Sequence, residues 1–182
     1  YHNTHYNPFF WETQDTQYNL DFDQQIEAAM DRAIKFAQSH YKKVSDYVKS
    51  IDPTKTIHIG ETGWATICNN HYGPAGSKAT DELKQAHYYN KMRAWTKKNR
   101  ISCFYFEAFD EPWKDAENDK GSENHFGLFK VTGEAKRPLW SLVDKGIFKG
   151  LTRNGNPITK TYNGKTEELM KHVLAPPVKS LC

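Results

Sequence analysis

Glu61 closes a short apolar run that begins at Ile57, and Thr-Gly-Trp follows at once, so a lone carboxyl stands where a strand runs out into a turn. A second run, Ile101 to Glu111 (ISCFYFEAFDE), ends in Asp110 and Glu111, carries Glu107 deeper inside, and leads into Trp113 and Lys114. A carboxyl at a strand end has two uses: it is a buried ion-pair partner, or it is an acid, base or nucleophile. Two carboxyls about 5 to 5.5 Å apart can open a glycosidic bond with retention, one giving a proton and one attacking. Trp64 and Trp113, one beside each strand end, offer rings on which the apolar face of a sugar could rest. By spacing alone Glu107, Asp110 or Glu111 could partner Glu61. A cation such as Lys114 close by would favour the charged form that a nucleophile needs.

The elements that must position these residues follow a repeating order. The first eleven residues, YHNTHYNPFFW, are rich in strand formers around a Pro and predict a strand and its exit loop. Ile26, Ala29, Met30, Ala33, Ala37, Tyr41, Val44 and Val48 recur at three and four, predicting an amphipathic helix capped by Asp23 and stopped before Asp52-Pro53. Thr56 to Glu61 is the next strand. After a Gly/Pro/Asn loop from Ile67 to Lys78, Thr80 is expected to cap a helix with Leu83, Ala86, Tyr89, Met92 and Trp95 on its buried side and Lys97 and Lys98 in its last turn.

In the run Ile101 to Glu111, alternation sends Phe104, Phe106 and Ala108 one way and Tyr105, Glu107, Phe109 and Glu111 the other. Simple alternation also puts Glu61 on the face of Ile57 and Ile59, with His58 opposite as a structural histidine. Then come a long polar loop, the strand-like ENHFGLFKV, and a helix from Pro138 and Leu139 toward Phe148. The residues after Gly150 read as turns, a hairpin and a loose C-terminus. Strand alternating with helix argues parallel pairing and right-handed crossovers. Acids at strand C-termini, with no Gly-rich phosphate loop, favour an α/β fold that is the C-terminal part, about strands 6 to 8, of a (β/α)8 barrel. The expected division is residues 1–149 in the barrel and 150–182 as a C-terminal extension.

Composition narrows the partners. The 182 residues carry 25 basic and 22 acidic side chains for a net charge of +3, with no Lys/Arg block that would track phosphates. No apolar run approaches the roughly 20 residues of a membrane span. Neither nucleic acid nor membrane is an expected partner. Three cysteines without a CxxC or Cys/His spacing predict no zinc site. No metal or organic cofactor is implied. The chain opens at Tyr1 within an aromatic run, without an initiator Met or signal-peptide pattern, and is expected to be a piece of something longer.

GETGW (60–64), FEAFDEPWK (106–114) and ENHFGLF (123–129), in this order, resemble the last two barrel strands and the following loop of family 17 glycoside hydrolases, the β-1,3-glucanase family. HYNPFFW (5–11) resembles that family's sixth strand. The resemblance implies that Glu61 is the nucleophile of a retaining double displacement on a laminarin-type glucan. It also implies that Glu111, Lys114 and Glu123 form a supporting charge cluster beside it. The family's acid/base glutamate ends the fourth strand, in an Asn-Glu pair with no counterpart in this chain, so the N-terminal part of the barrel is an expected partner.

Trp64, Trp113, His5, Asn7 and Tyr72 are taken as sugar contacts, and Phe109 and Phe126 as packing residues. Asn7, with His5 before it, stands where plant members carry a tyrosine, which resembles the microbial branch. Two other readings remain open at this stage: a glucanosyltransferase of the same fold, and a non-catalytic glucan-binding fragment. The substrate implies a secreted, periplasmic or cell-surface location.

Overall fold

The computed structural model describes residues 19–68 and 78–175. The expected first strand, with His5 and Asn7, and Tyr72 of the 67–78 loop lie outside these residues.

Helix α1 spans Phe22–Ile51. Its cap is Asp21 and not Asp23, because Asp21 closes a reciprocal box with Gln24: the Gln24 amide donates to Asp21 Oδ1 at 2.9 Å and the Asp21 amide to Gln24 Oε1 at 3.4 Å. Ile26, Ala29, Met30, Ala33 and Ile34 bury the N-terminal half. The apolar stripe continues past that contact, so Val44, Tyr47 and Ile51 are exposed.

Strand β1, Ile59–Thr62, lies parallel to β2, Cys103–Tyr105. Helix α2, Glu82–Asn99, connects them, capped by Asp81 one residue after the expected Thr80 and closed by Arg100 in the left-handed conformation. This is one parallel βαβ unit of the expected kind. Its buried side is more polar than the spacing of Leu83, Ala86, Tyr89, Met92 and Trp95 predicts, with Glu82, Lys84, Gln85, Tyr88 and Thr96 also buried. The helix is wedged between α1, the sheet and the C-terminal segment, and polar side chains there anchor backbone from two sides.

The expected strand to Glu111 is much shorter in the structure. At Phe106 the chain donates its last bond to β1, from the Phe106 amide to the Thr62 carbonyl at 2.7 Å. It then changes partner: the Glu107 amide donates to Phe126, Leu128 to Glu107, Phe129 to Ala108, and Asp110 to Phe129. The ENHFGLFKV segment therefore forms single bridges and no continuous strand. Two glycines permit this switch. A Cβ on Gly63 would stand 2.0 Å from the Phe106 carbonyl oxygen, and one on Gly127 would stand 2.1 Å from the Asp110 amide nitrogen.

After the 3-10 turn Arg137–Leu139, helix α3 covers only Trp140–Asp144 and stops short of Phe148. A two-residue turn, Asn154-Gly155, both with positive φ, joins the antiparallel strands β3, Thr152–Arg153, and β4, Asn156–Pro157. Beyond them helix α4, Thr166–Met170, brings Leu169 and then Val173 into the main core. The C-terminus expected to be loose is packed at least that far, because these side chains fill the space beside α1 and α2.

Candidate active site

Glu61 stands at the end of β1, half-buried. Its orientation does not come from simple alternation. Ile59 packs against the helical core, and the Thr62 hydroxyl lies 2.8 Å from the Tyr88 hydroxyl of α2, so both face the helices. Between them the register slips: Ile59 pairs with Cys103, and Thr62 with Tyr105. Four residues on β1 thus stand opposite three on β2, and Glu61, next to the helix-facing Thr62, is directed away from α2 by the strand pleat. That side is open. Phe104 is 68% exposed there, with the His58 ring 4.7 Å away and His58 Nδ1 2.8 Å from the Ser102 hydroxyl. Phe104 and Tyr105 therefore have the opposite assignment from the one expected, for Tyr105 packs on the helices, edge-on to Tyr89.

At the end of the neighbouring strand Lys114 gathers two acids. Its Nζ is 2.6 Å from Glu111 Oε2 and 3.0 Å from Glu107 Oε2, and it lies 4.1 Å from the centre of the Phe106 ring. Burial pushes the Glu107 carboxyl up to about 7, the Glu111 charge adding to this and Lys114 opposing it. The hydrogen bond from Lys114 holds Glu111 below the usual carboxylate range. Glu123 sits half-buried in the 3-10 turn Ser122–Asn124 and makes no ion pair among the described residues. The cluster around Lys114 thus contains Glu111 as expected, with Glu107 where Glu123 was expected.

The two tryptophans part company. Trp113 is 62% exposed on the loop that carries Lys114. Trp64 is 1% exposed, its indole nitrogen donating to the Ala79 carbonyl at 2.9 Å and its ring 5.1 Å from Tyr88. It is a core residue with no face left for a sugar, and the assignment of Trp64 as a subsite wall is corrected accordingly. Gln85 secures the same corner by donating through Nε2 to the carbonyls of Trp64, Phe126 and Gly127.

Asp110 is also removed from the set of partners for Glu61. Its Oδ1 accepts from the buried Lys136 ammonium at 2.7 Å and from the Gly127 amide at 3.0 Å. Lys136 further donates to the Thr66 hydroxyl and the His125 carbonyl. A cleft of about 670 Å³ includes Asp110 and Lys136 but none of Glu61, Glu107, Glu111 and Lys114, so the strand-end carboxyls lie outside it, on the open face. Sequence reading named neither Lys136 nor Gln85, because both interrupt apolar spacing and read as solvated. Glu107 was visible as a third acid in FEAFDE, but nothing in its spacing set it above Asp110 or Glu111. Among the described residues no group of three or more His, Cys, Asp or Glu side chains could hold a metal ion.

The model of the glycosyl hydrolases family 17 matches residues 6–139. A glucan 1,3-beta-glucosidase of Arthroderma benhamiae is 36% identical over 88 residues, which are 44% of this chain and 26% of that protein. The crystal structure of an endo-laminarinase from Formosa Hel1_33_131 superposes with a TM-score of 0.90 at 58% identity, over 98% of this chain and 46% of that one. The chain spans about a quarter and about half of these two relatives. The described βαβ unit and its C-terminal packing are thus the C-terminal part of a (β/α)8 barrel.

Proposed function

Because the chain belongs to family 17 of the glycosyl hydrolases, we propose that it is the nucleophile-bearing part of a retaining hydrolase of laminarin-type β-1,3-glucan. What supports this reading is the position of Glu61, half-buried at the end of β1, next to the strand that leads into the Lys114 cluster. Glu61 attacks the anomeric carbon while the acid/base carboxyl protonates the departing glycosidic oxygen. Water then attacks the glycosyl-enzyme, giving its proton to that same carboxyl and releasing Glu61.

The acid/base comes from the N-terminal part of the barrel. The exposed Phe104, Val44, Tyr47 and Ile51 are the surfaces that this part covers. Trp113 forms a wall of the sugar site, and His5, Asn7 and Tyr72 add polar and aromatic contacts. A β-glucan substrate supports a secreted, periplasmic or cell-surface location. The chain by itself is expected to be inactive.

The test uses a polypeptide joining this sequence to the preceding barrel strands. Glu61→Gln should bind laminari-oligosaccharides and release no reducing sugar. Retained turnover in that variant would refute the assignment, and products longer than the substrate would indicate transfer in place of hydrolysis.

A further inference from the structure

Lys114 has a different pair of acids from the one that resemblance assigns to it. Glu107 pairs with it and Glu123 does not, and three observations set Glu107 apart from an ordinary surface carboxylate. Its side chain is 12% exposed, against 29% for Glu111. Its Oε1 is buried and accepts from no donor among the described residues, and its carboxyl meets that of Glu111. Its backbone is held on both sides, the amide by Phe126 at 3.3 Å and the carbonyl by Leu128 at 2.9 Å, directly after the Phe106 amide that bonds to the residue following Glu61.

We propose that Glu107 is the positioning residue that fixes the Lys114 ammonium at the end of β2, beside the strand end that carries Glu61, in the place assigned to Glu123. This rests on the reading of Glu61 as nucleophile. Among the described residues, Lys114 and Glu111, both from the following loop, are the charged groups that meet Glu107. The 126–129 segment against its backbone brings only Phe126, Gly127, Leu128 and Phe129, and the end of β1 brings Glu61.

Two carboxylates against one ammonium are neutral only while one proton is held. Burial, reinforced by Glu111, keeps that proton on Glu107 up to about pH 7. The charge of the cluster beside the nucleophile therefore changes by one across neutrality. The sign for stability follows: the folded state holds a proton that the unfolded chain has already released, so stability falls as pH rises from the usual glutamate range to about 7 and then levels off.

The experiment measures kcat, KM and melting temperature against pH for the barrel carrying both halves, with Glu107→Gln, Glu107→Asp, Glu123→Gln and Glu61→Gln. The parent kcat should show an inflection near 7, matching Glu107. Glu107→Gln should lose that inflection and about tenfold in kcat with KM within about twofold, the size of a typical coupling between neighbours. Glu107→Asp should recover part of the rate, and Glu123→Gln should keep the inflection.

Melting curves supply a readout without substrate: the parent's loss of stability up to pH 7 should be absent in Glu107→Gln. Glu107→Gln with the parent's pH profile, or Glu123→Gln without the inflection, overturns the proposal. If Glu107→Gln lacks a cooperative melt, the double variant E107Q/K114M replaces it, and an inflection persisting there overturns the proposal equally. Turnover by Glu61→Gln refutes the nucleophile reading instead, and the melting curves still decide the role of Glu107.

Discussion

Lys114 and Lys136 each hold an acid near the end of β2, and they do opposite work. Lys136 is 2% exposed and its ammonium is fully engaged by Asp110, Thr66 and the His125 carbonyl. Burial pushes its pKa down against the pull of Asp110. Lys114 is 28% exposed, lies over a ring, and serves two carboxylates, one of which has a buried oxygen that accepts from no donor among the described residues. A buried charge whose donors are all engaged locks the backbone segments that meet at it. A half-exposed charge shared between competing acids stays responsive to protons and to a ligand. The difference separates scaffold from site although the acids the two lysines hold, Asp110 and Glu111, are adjacent in sequence.

The largest effect expected belongs to Glu61, which lies in neither group. Glu61→Gln should lower kcat by roughly 10⁴-fold or more, the scale of removing a nucleophile, with a melting temperature close to the parent's. Laminarin turnover and a thermal melt on the same sample check both halves of that statement.

The next effect divides the two lysines. Lys136→Met leaves Asp110 buried without its cation and should cost about 3–5 kcal/mol of stability. Lys114→Met should cost less than about 1 kcal/mol, as partly exposed pairs do, while lowering kcat. Denaturant melts and kinetics on the pair would erase the distinction if both variants lost stability alike.

The tryptophans sharpen it further. Trp64→Ala should cost about 3–5 kcal/mol through the cavity it opens. Trp113→Ala should change stability by less than about 0.5 kcal/mol, as exposed positions do, and weaken laminari-oligosaccharide binding, measured by titration calorimetry. The loss of stability toward pH 7 assigned to Glu107 is read as a difference between the parent and Glu107→Gln across that pH range.

Much of the site was legible in the residues. Glu61 between an apolar run and Gly-Trp marked one strand end, and the pairing of Glu111 with Lys114 came with the resemblance to family 17, whereas the strand expected to reach Glu111 stops at Tyr105. Trp113 was placed in a polar loop and is exposed there. Trp64 misled, because an aromatic beside a candidate nucleophile reads as a platform. Only the approach of Ala79 and Tyr88 from α2 and its preceding turn shows that the ring is enclosed. Glu123, expected in the cluster by resemblance, makes no ion pair among the described residues, where Lys114 is held by Glu107 and Glu111.

By itself the sequence determined the order of elements, the parallel β1–α2–β2 unit and the chemical types gathered at its end, since periodicity and side-chain chemistry are local properties of a chain. Tertiary structure alone decided which way those groups point and which acid meets which lysine. The bulge between Ile59 and Thr62 takes Glu61 off the face of Ile59, and the exchange of β1 for the 126–129 segment at Phe106 brings Glu107 to Lys114. Both events arise from hydrogen bonds between segments distant in sequence, and no spacing within either segment encodes them.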